Sequence, residues 1–322
     1  ASDLGLWSEV DTTFGDNVAN WRLGVRADAL HYAVDDRLGE LGAATMGEPF
    51  IAGVRRSSAG LAWGPRTSLE VPLPGNASFV AAYGEGYRSA QARTLEDGET
   101  RPFTKVRSAD LGARMHRDDW SASLSGYYTR LEDDVALDAQ TGRLESLGAS
   151  QRLGMAAYLE GRPTAGVVGS LSMTYVNATL LEPPAASASD PQPAFEAGQN
   201  LPFVPPLVFR ADVAGQRGLG IRVLGTELIG KAGLGFSFIS SRPLPFGEFA
   251  EPIGLLDLSA EVRTGSLALS FDFYNALNRR YGAVEFSHPS NWDPTSAPSR
   301  LPARHFAAGS PLAWMTTLEL TL

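Results

Sequence analysis

The chain has 322 residues, a net charge of -9, no cysteine, and 34 glycines and 21 prolines spread along its length. The acidic balance excludes a nucleic-acid binder, which carries a basic stripe to neutralise phosphates, and the lack of cysteine removes disulfides, zinc–thiolate sites and thiol nucleophiles together. No apolar run reaches the length of a membrane-spanning helix, but a spanning strand needs only about 9–11 alternating residues.

Short alternating runs bounded by Gly, Pro, Asn and Asp predict an all-β chain of about thirteen strands. They are expected at 4–14, 19–31, 58–71, 77–87, 105–115, 120–131, 150–160, 167–178, 206–214, 231–241, 254–263, 267–276 and 306–322. Side chains alternate across a strand. Trp21, Leu23, Val25, Ala27 and Ala29 therefore oppose Arg22, Gly24, Arg26 and Asp28, and Ala109, Leu111, Ala113 and Met115 oppose Ser108, Asp110, Gly112 and Arg114. Leu267, Leu269, Phe271 and Phe273 likewise oppose Ala268, Ser270, Asp272 and Tyr274. A soluble sandwich alternates in the same way, so the connections must discriminate.

Those connections run short, long, short, long. Gly15-Asp16-Asn17, Pro72–Asn76, His116–Asp119, Gly161–Gly166 and Thr264-Gly265 are short, whereas 32–57, 88–104, 132–149, 179–205 and 277–305 are long. Short turns on one side and long loops on the other are the layout of an outer-membrane barrel. The 215–230 link breaks the alternation and is read either as two strands running long or as a small insertion. Aromatic residues near strand ends, namely Trp7, Trp63, Tyr83, Tyr87, Trp120, Tyr127, Tyr128, Tyr175, Phe236 and Trp314, are candidates for interfacial girdles.

Particular strings sharpen this. Asn275-Ala276-Leu277-Asn278-Arg279-Arg280-Tyr281, then a loop and a final strand, resembles the end of a TonB-dependent outer-membrane transporter barrel. Tyr83-Gly84-Glu85-Gly86-Tyr87-Arg88, Ser108–Arg114, Tyr127-Tyr128, Glu132–Val135, Leu201–Pro206, Ile239–Pro243 and Leu255–Leu258 are similar to other strings of that family, in the same order. The last strand puts Trp314, Thr316, Leu318, Leu320 and Leu322 on one face and ends in Leu, where the family usually ends in Phe or Trp.

The resemblance implies an antiparallel transmembrane β-barrel in a Gram-negative outer membrane, surrounded by lipid and importing a scarce small-molecule ligand of the iron-siderophore, cobalamin or glycan class. It implies no reaction chemistry and no cofactor. Family barrels have about 22 strands, preceded by a plug and a TonB box. The expectation is therefore that residues 1–322 are the C-terminal portion of such a barrel, the plug and earlier strands lying elsewhere in the same protein or on a second chain. The TonB complex would act through that plug. A plug-less porin-like or autotransporter-like barrel and a soluble carbohydrate-binding β protein, sandwich or propeller, stay open as alternatives.

The inward charges Arg22, Arg26, Asp28, Asp110, Arg114, Asp257, Glu261 and Asp272 are expected to line the lumen. They would pair with one another or with a plug, or line the substrate path. Specificity normally lives in loops, which makes Arg55, Arg56, Trp292 and Arg304 the candidate ligand contacts. Other motifs carry little. Gly225–Ala232 nearly matches a phosphate-binding loop, but Ala232 replaces the required Ser/Thr and no helix pattern follows. His31, His116, His288 and His305 lie far apart without ligand spacing and are expected in turns or loops. Glu132-Asp133-Asp134 with Asp138 is expected to be a solvated acidic loop rather than a calcium site.

Overall fold

Alternation carries through into long strands because every strand finds a neighbour on which its period-two pattern continues. The computed structural model describes residues 1–16, 18–35, 55–89, 98, 102–138, 143–183, 195–223, 225–290 and 301–321. The strands are β1 (Ser2–Phe14), β2 (Ala19–Asp35), β3 (Arg55–Leu73), β4 (Ala77–Ser89), β5 (Phe103–Arg117), β6 (Trp120–Asp138), β7 (Arg143–Thr164), β8 (Val167–Glu182), β9 (Leu207–Val223) and β10 (Thr226–Ile239). Then come β11 (Arg242–Pro243), β12 (Phe249–Ala250), β13 (Ile253–Thr264), β14 (Leu267–Tyr274), β15 (Gly282–Pro289), β16 (Pro302–Ala308) and β17 (Ala313–Leu320). Thirteen of them form one antiparallel sheet in the order β1 to β10, then β13, β14 and β17, while β11–β12 and β15–β16 are separate two-stranded ribbons.

Register propagates one two-faced pattern across this sheet. Arg22 lies opposite Asp11 and Ser68, Asp110 opposite Ala82 and Tyr127, and Glu261 opposite Lys231 and Ser270. On the other face Leu111 lies opposite Ala81 and Gly126, and Leu269 opposite Val262 and Leu318. No second layer covers that apolar face among the described residues: Leu61 is 67% exposed, Leu153 61% and Leu318 69%. A sandwich would bury such a face against a second sheet. The single layer therefore removes the soluble-sandwich and propeller readings. Trp7 and Tyr127 pair with Arg26 and Asp110 on the charged face, so they are not part of an outward-facing girdle.

The structure revises four connections. The 215–230 link is not an insertion: β9 and β10 run on and pair as far as Val223 and Thr226, turning at Gly225 with φ of +81°. The expected 132–149 loop is mostly strand, because β6 and β7 pair out to Asp138 and Arg143. Gly148 makes the accompanying bulge possible. Its φ is +70° and the Glu182 carbonyl occupies the space a Cβ would need. The 277–305 connection contains the β15–β16 ribbon. Finally, the single strand expected at 306–322 is two, β16 and β17, separated at Gly309-Ser310-Pro311, where Pro311 has no amide to donate to a ladder.

Candidate functional site

The charged face is built from cross-strand ion pairs. Arg22 on β2 bonds Asp11 at 3.1 Å and approaches Glu9 at 3.4 Å on β1, and Arg66 on β3 reaches the same Glu9 at 2.6 Å. Arg26 grips both oxygens of Asp28, whose side chain is fully buried. Arg114 on β5 bonds Glu70 on β3 at 2.5 Å and Ser78 on β4 at 2.9 Å. Further round, Arg210 pairs with Asp212 and approaches Asp257 at 3.5 Å. Lys231, Glu261, Arg263 and Glu319 form a chain of contacts of 2.9–3.0 Å running from β10 to β17. Most of these side chains are partly exposed, and exposed pairs contribute only about 0–1 kcal/mol each. Their consequence is a wetted, nearly neutral wall with charges able to exchange partners.

The end of the sheet bearing the long connections is locked by the strings that resemble the family. Asn275 follows β14 with φ of +50°. Its Nδ2 donates to the carbonyls of Arg279 and Ser310 at 2.9 and 3.0 Å, its Oδ1 accepts the Arg279 amide at 2.9 Å, and its own amide donates to Asp257 at 3.0 Å. Asn278, with φ of +47°, accepts the Leu312 amide at 3.1 Å. The two asparagines thus shape the exit from β14 and hold the segment that enters β17. Residues 195–206 fold back along β8, where Leu201 donates its amide to Ala178 and packs with Leu147, Val176 and Leu180. Phe203, with φ of +64°, donates its amide to Pro243 and meets Phe286 edge-on at 5.8 Å. Three connections therefore meet at one aromatic node.

The acidic run of β6 is also bound rather than solvated. Asp134 is buried, accepts Ser150 at 2.7 Å, Arg152 at 2.6 Å and the Val135 amide at 2.9 Å, and has Arg88 at 3.5 Å. It stands about 14 residues beyond the β5–β6 turn, roughly 46 Å along the strand, at the end of the sheet that bears the long connections. Burial pushes its carboxyl up, but the Ser150 hydrogen bond, the Arg152 charge and the Val135 amide outweigh that and hold it below the usual carboxylate range. Glu132 pairs with Arg107 at 2.9 Å, and Asp133 accepts the Ser146 hydroxyl. With its neighbours committed to arginines and hydroxyls, Asp134 belongs to a structural knot and not to a loop. The side chain of Asp138 lies outside the described residues.

Register places Arg22, Arg26, Asp28, Asp110, Arg114, Asp257, Glu261 and Asp272 on one and the same face. Asp110 accepts Ser108 at 3.2 Å, and Asp272 makes no ion pair among the described residues. The partners Glu9, Asp11, Arg66, Glu70, Arg210, Asp212, Lys231, Arg263 and Glu319 were missed from the sequence, although each occupies the polar phase of its own strand. Of the candidate ligand contacts, Arg55 approaches Asp35 at 3.7 Å and Arg56 is its neighbour on β3. Arg304 on β16 pairs with Glu251 at 3.0 Å and Glu285 at 3.5 Å; Trp292 lies outside the described residues. The structure does not bring Arg55 and Arg304 together. His288 and His305, expected apart in turns or loops, are instead on strands, with ring centroids 4.1 Å apart across the β15–β16 ribbon. Among the described residues no three His, Cys, Asp or Glu side chains converge on a metal position. The Gly225–Ala232 string is the start of β10, with Lys231 on Glu261, and not a phosphate loop.

Comparison with known proteins agrees with this geometry. A search of curated sequences found no match. Among solved structures, the ferric yersiniabactin uptake receptor FyuA from Yersinia pestis superposes with a TM-score of 0.71 at 14% identity, over 99% of this chain and 46% of that one. The ferric-catecholate import receptor Fiu from K12 E. coli gives 0.68 at 15% identity over 99% and 44%, and the ferric citrate transporter FecA gives 0.66 at 15% identity over 99% and 45%. The chain thus spans less than half the length of these structures, which are receptors and transporters, not enzymes. A family model described as TonB dependent receptor-like, beta-barrel, matches residues 1–282, and the chain belongs to that family.

Proposed function

We propose that this chain forms part of the wall of a TonB-dependent transporter barrel in a Gram-negative outer membrane, through which a scarce ligand is imported. The observation that carries the reading is the single two-faced sheet, with one exposed apolar face, one ion-paired face, and short turns and long connections segregated to opposite ends; a barrel wall with lipid outside and a polar lumen inside requires this arrangement. In this reading the plug and the remaining strands come from the rest of the protein or a second chain. They meet the charges from Arg22 to Asp272, and the TonB complex acts through the plug. Arg55, Arg56 and Trp292 belong to the ligand-capturing loop end, while Arg304 braces the β15–β16 ribbon there.

The three receptors compared above are named for ferric chelates, which puts that class first, ahead of cobalamin and glycans. The test is growth of a strain lacking the gene with iron chelate, cobalamin or glycan as the limiting nutrient. A defect in one regime, restored by the gene but not when the inner-membrane energising complex is removed, is the expected result. Growth equal to the parent in all three, or import without that complex, sinks the reading.

A further inference from the structure

The apolar face changes character abruptly on β4, β5 and β6. Moving away from the short turns, its rows read Phe79/Ala113/Leu124, then Ala81/Leu111/Gly126, then Tyr83/Ala109/Tyr128, then Glu85/Arg107/Arg130. The fourth row is about ten residues from the β5–β6 turn, which at ~3.3 Å per residue and ~40° tilt lies about 25 Å up, where the apolar band of such a sheet ends. Tyrosines mark the boundary and cations stand just above it.

This row is not electrostatically closed. Arg107 and Arg130 are direct cross-strand partners, an arrangement that like charges disfavour. Glu132 meets Arg107 at 2.9 Å, and Glu85 approaches Arg107 at 3.5 Å while also pairing with Lys105. Lys105 in turn stands 5.2 Å from the Trp63 ring. Lys105 and Arg107 thus share the two carboxylates, whereas Arg130 makes no ion pair and its Nε is buried without an acceptor among the described residues. Buried guanidinium donors are normally satisfied, and two adjacent forks match a phosphate.

We propose that this row binds the phosphate-bearing head group of an outer-leaflet lipid. Its acyl chains would lie on Leu111, Leu124 and Leu153, and its phosphate would span Arg107 and Arg130 with Lys105 beside it. The proposal rests on the outer-membrane reading above. A lipid, rather than free phosphate, is the occupant because the cations are continuous with exposed apolar surface and the tyrosine row, which only an amphiphile can cover together. The site faces away from the charged wall and is separate from ligand transport.

Native mass spectrometry of the detergent-purified whole protein that carries this chain, with diphosphorylated lipid A, tests it. The expected result is a one-to-one adduct that weakens at least about tenfold in the Arg107→Gln/Arg130→Gln variant, as the loss of charge-assisted hydrogen bonds requires. Arg107→Lys/Arg130→Lys retains most of the binding, and lipid A stripped of phosphate binds the parent protein at least about tenfold more weakly. Equal binding of the stripped lipid, unchanged binding by the Gln variant, or complete displacement by millimolar inorganic phosphate overturns the proposal. Heat-modifiable gel migration, measured on the same samples, separates the two readings. If migration is heat-modifiable, those outcomes reject the lipid site alone; a chain that stays soluble without detergent rejects the membrane placement as well.

Discussion

At the scale of single residues, the family-like strings are mostly structural. The Asn275 side chain satisfies three backbone groups while the residue adopts a left-handed conformation, which Asn tolerates far better than most side chains. Replacing it with Ala removes the three side-chain hydrogen bonds and keeps the strained φ, at a cost of about 2–4 kcal/mol. Asn275→Gly relieves the φ and loses only the bonds, so it falls between parent and Ala. The check is the temperature at which the folded band disappears from an unboiled gel, with Asn275→Ala lowest; equal temperatures for Ala and Gly would remove the backbone part of the argument. The string itself was legible in the sequence. Its bonds were not, because they join Asn275 to Ser310, 35 positions away across a connection whose β15–β16 ribbon no local pattern announces.

At the scale of elements, strand phase was legible because alternation is local, and each of the thirteen predicted spans lies at a strand of the sheet, the last of them being split. Ion pairs were not, because they depend on register between strands. Arg263 and Glu319 meet only because β14 lies between β13 and β17, although 56 positions separate them. The strand lengths of β6, β7, β9 and β10 were underestimated where charges interrupt the apolar phase, as at Glu132-Asp133-Asp134; there Arg107 and Arg152 neutralise the charge and pairing continues. Phase also makes adjacent positions unequal. Leu124 faces the apolar side about 10 Å from the turn, and Ser125 faces the charged wall beside Gly112 and Ala156. Leu124→Arg is expected to cost about 2–4 kcal/mol of membrane-embedded stability, whereas Ser125→Arg costs less than about 1. Urea titration in lipid vesicles, read by tryptophan fluorescence, measures both. Similar losses at the two positions would mean that the apolar face is not the one in contact with lipid.

At the scale of the whole molecule, the segregation of connections gives the sheet a direction. The turns that follow β1, β3, β5, β7, β9 and β13 fall at one end, and the aromatic node of Phe203 and Phe286 with the β11–β12 and β15–β16 ribbons falls at the other. Strand alternation cannot assign those ends to the two sides of a membrane, since both ends carry the same phase; connection length can, because the outer-membrane layout puts short turns in the periplasm. The absence of cysteine from these 322 residues makes the assignment directly measurable, as labelling gained on introducing a thiol here, over the parent protein, reports that position. Glu248 is exposed in the β11–β12 ribbon and Asp118 in the β5–β6 turn. In intact cells a membrane-impermeant maleimide is expected to label Glu248→Cys, and to label Asp118→Cys only after the outer membrane is permeabilised. The reverse pattern would invert the sheet and move Arg55, Arg56 and Arg304 to the periplasmic side, away from any ligand outside the cell. Labelling of both without permeabilisation would take the sheet out of the membrane altogether, and its exposed apolar face would then require a protein partner in place of lipid.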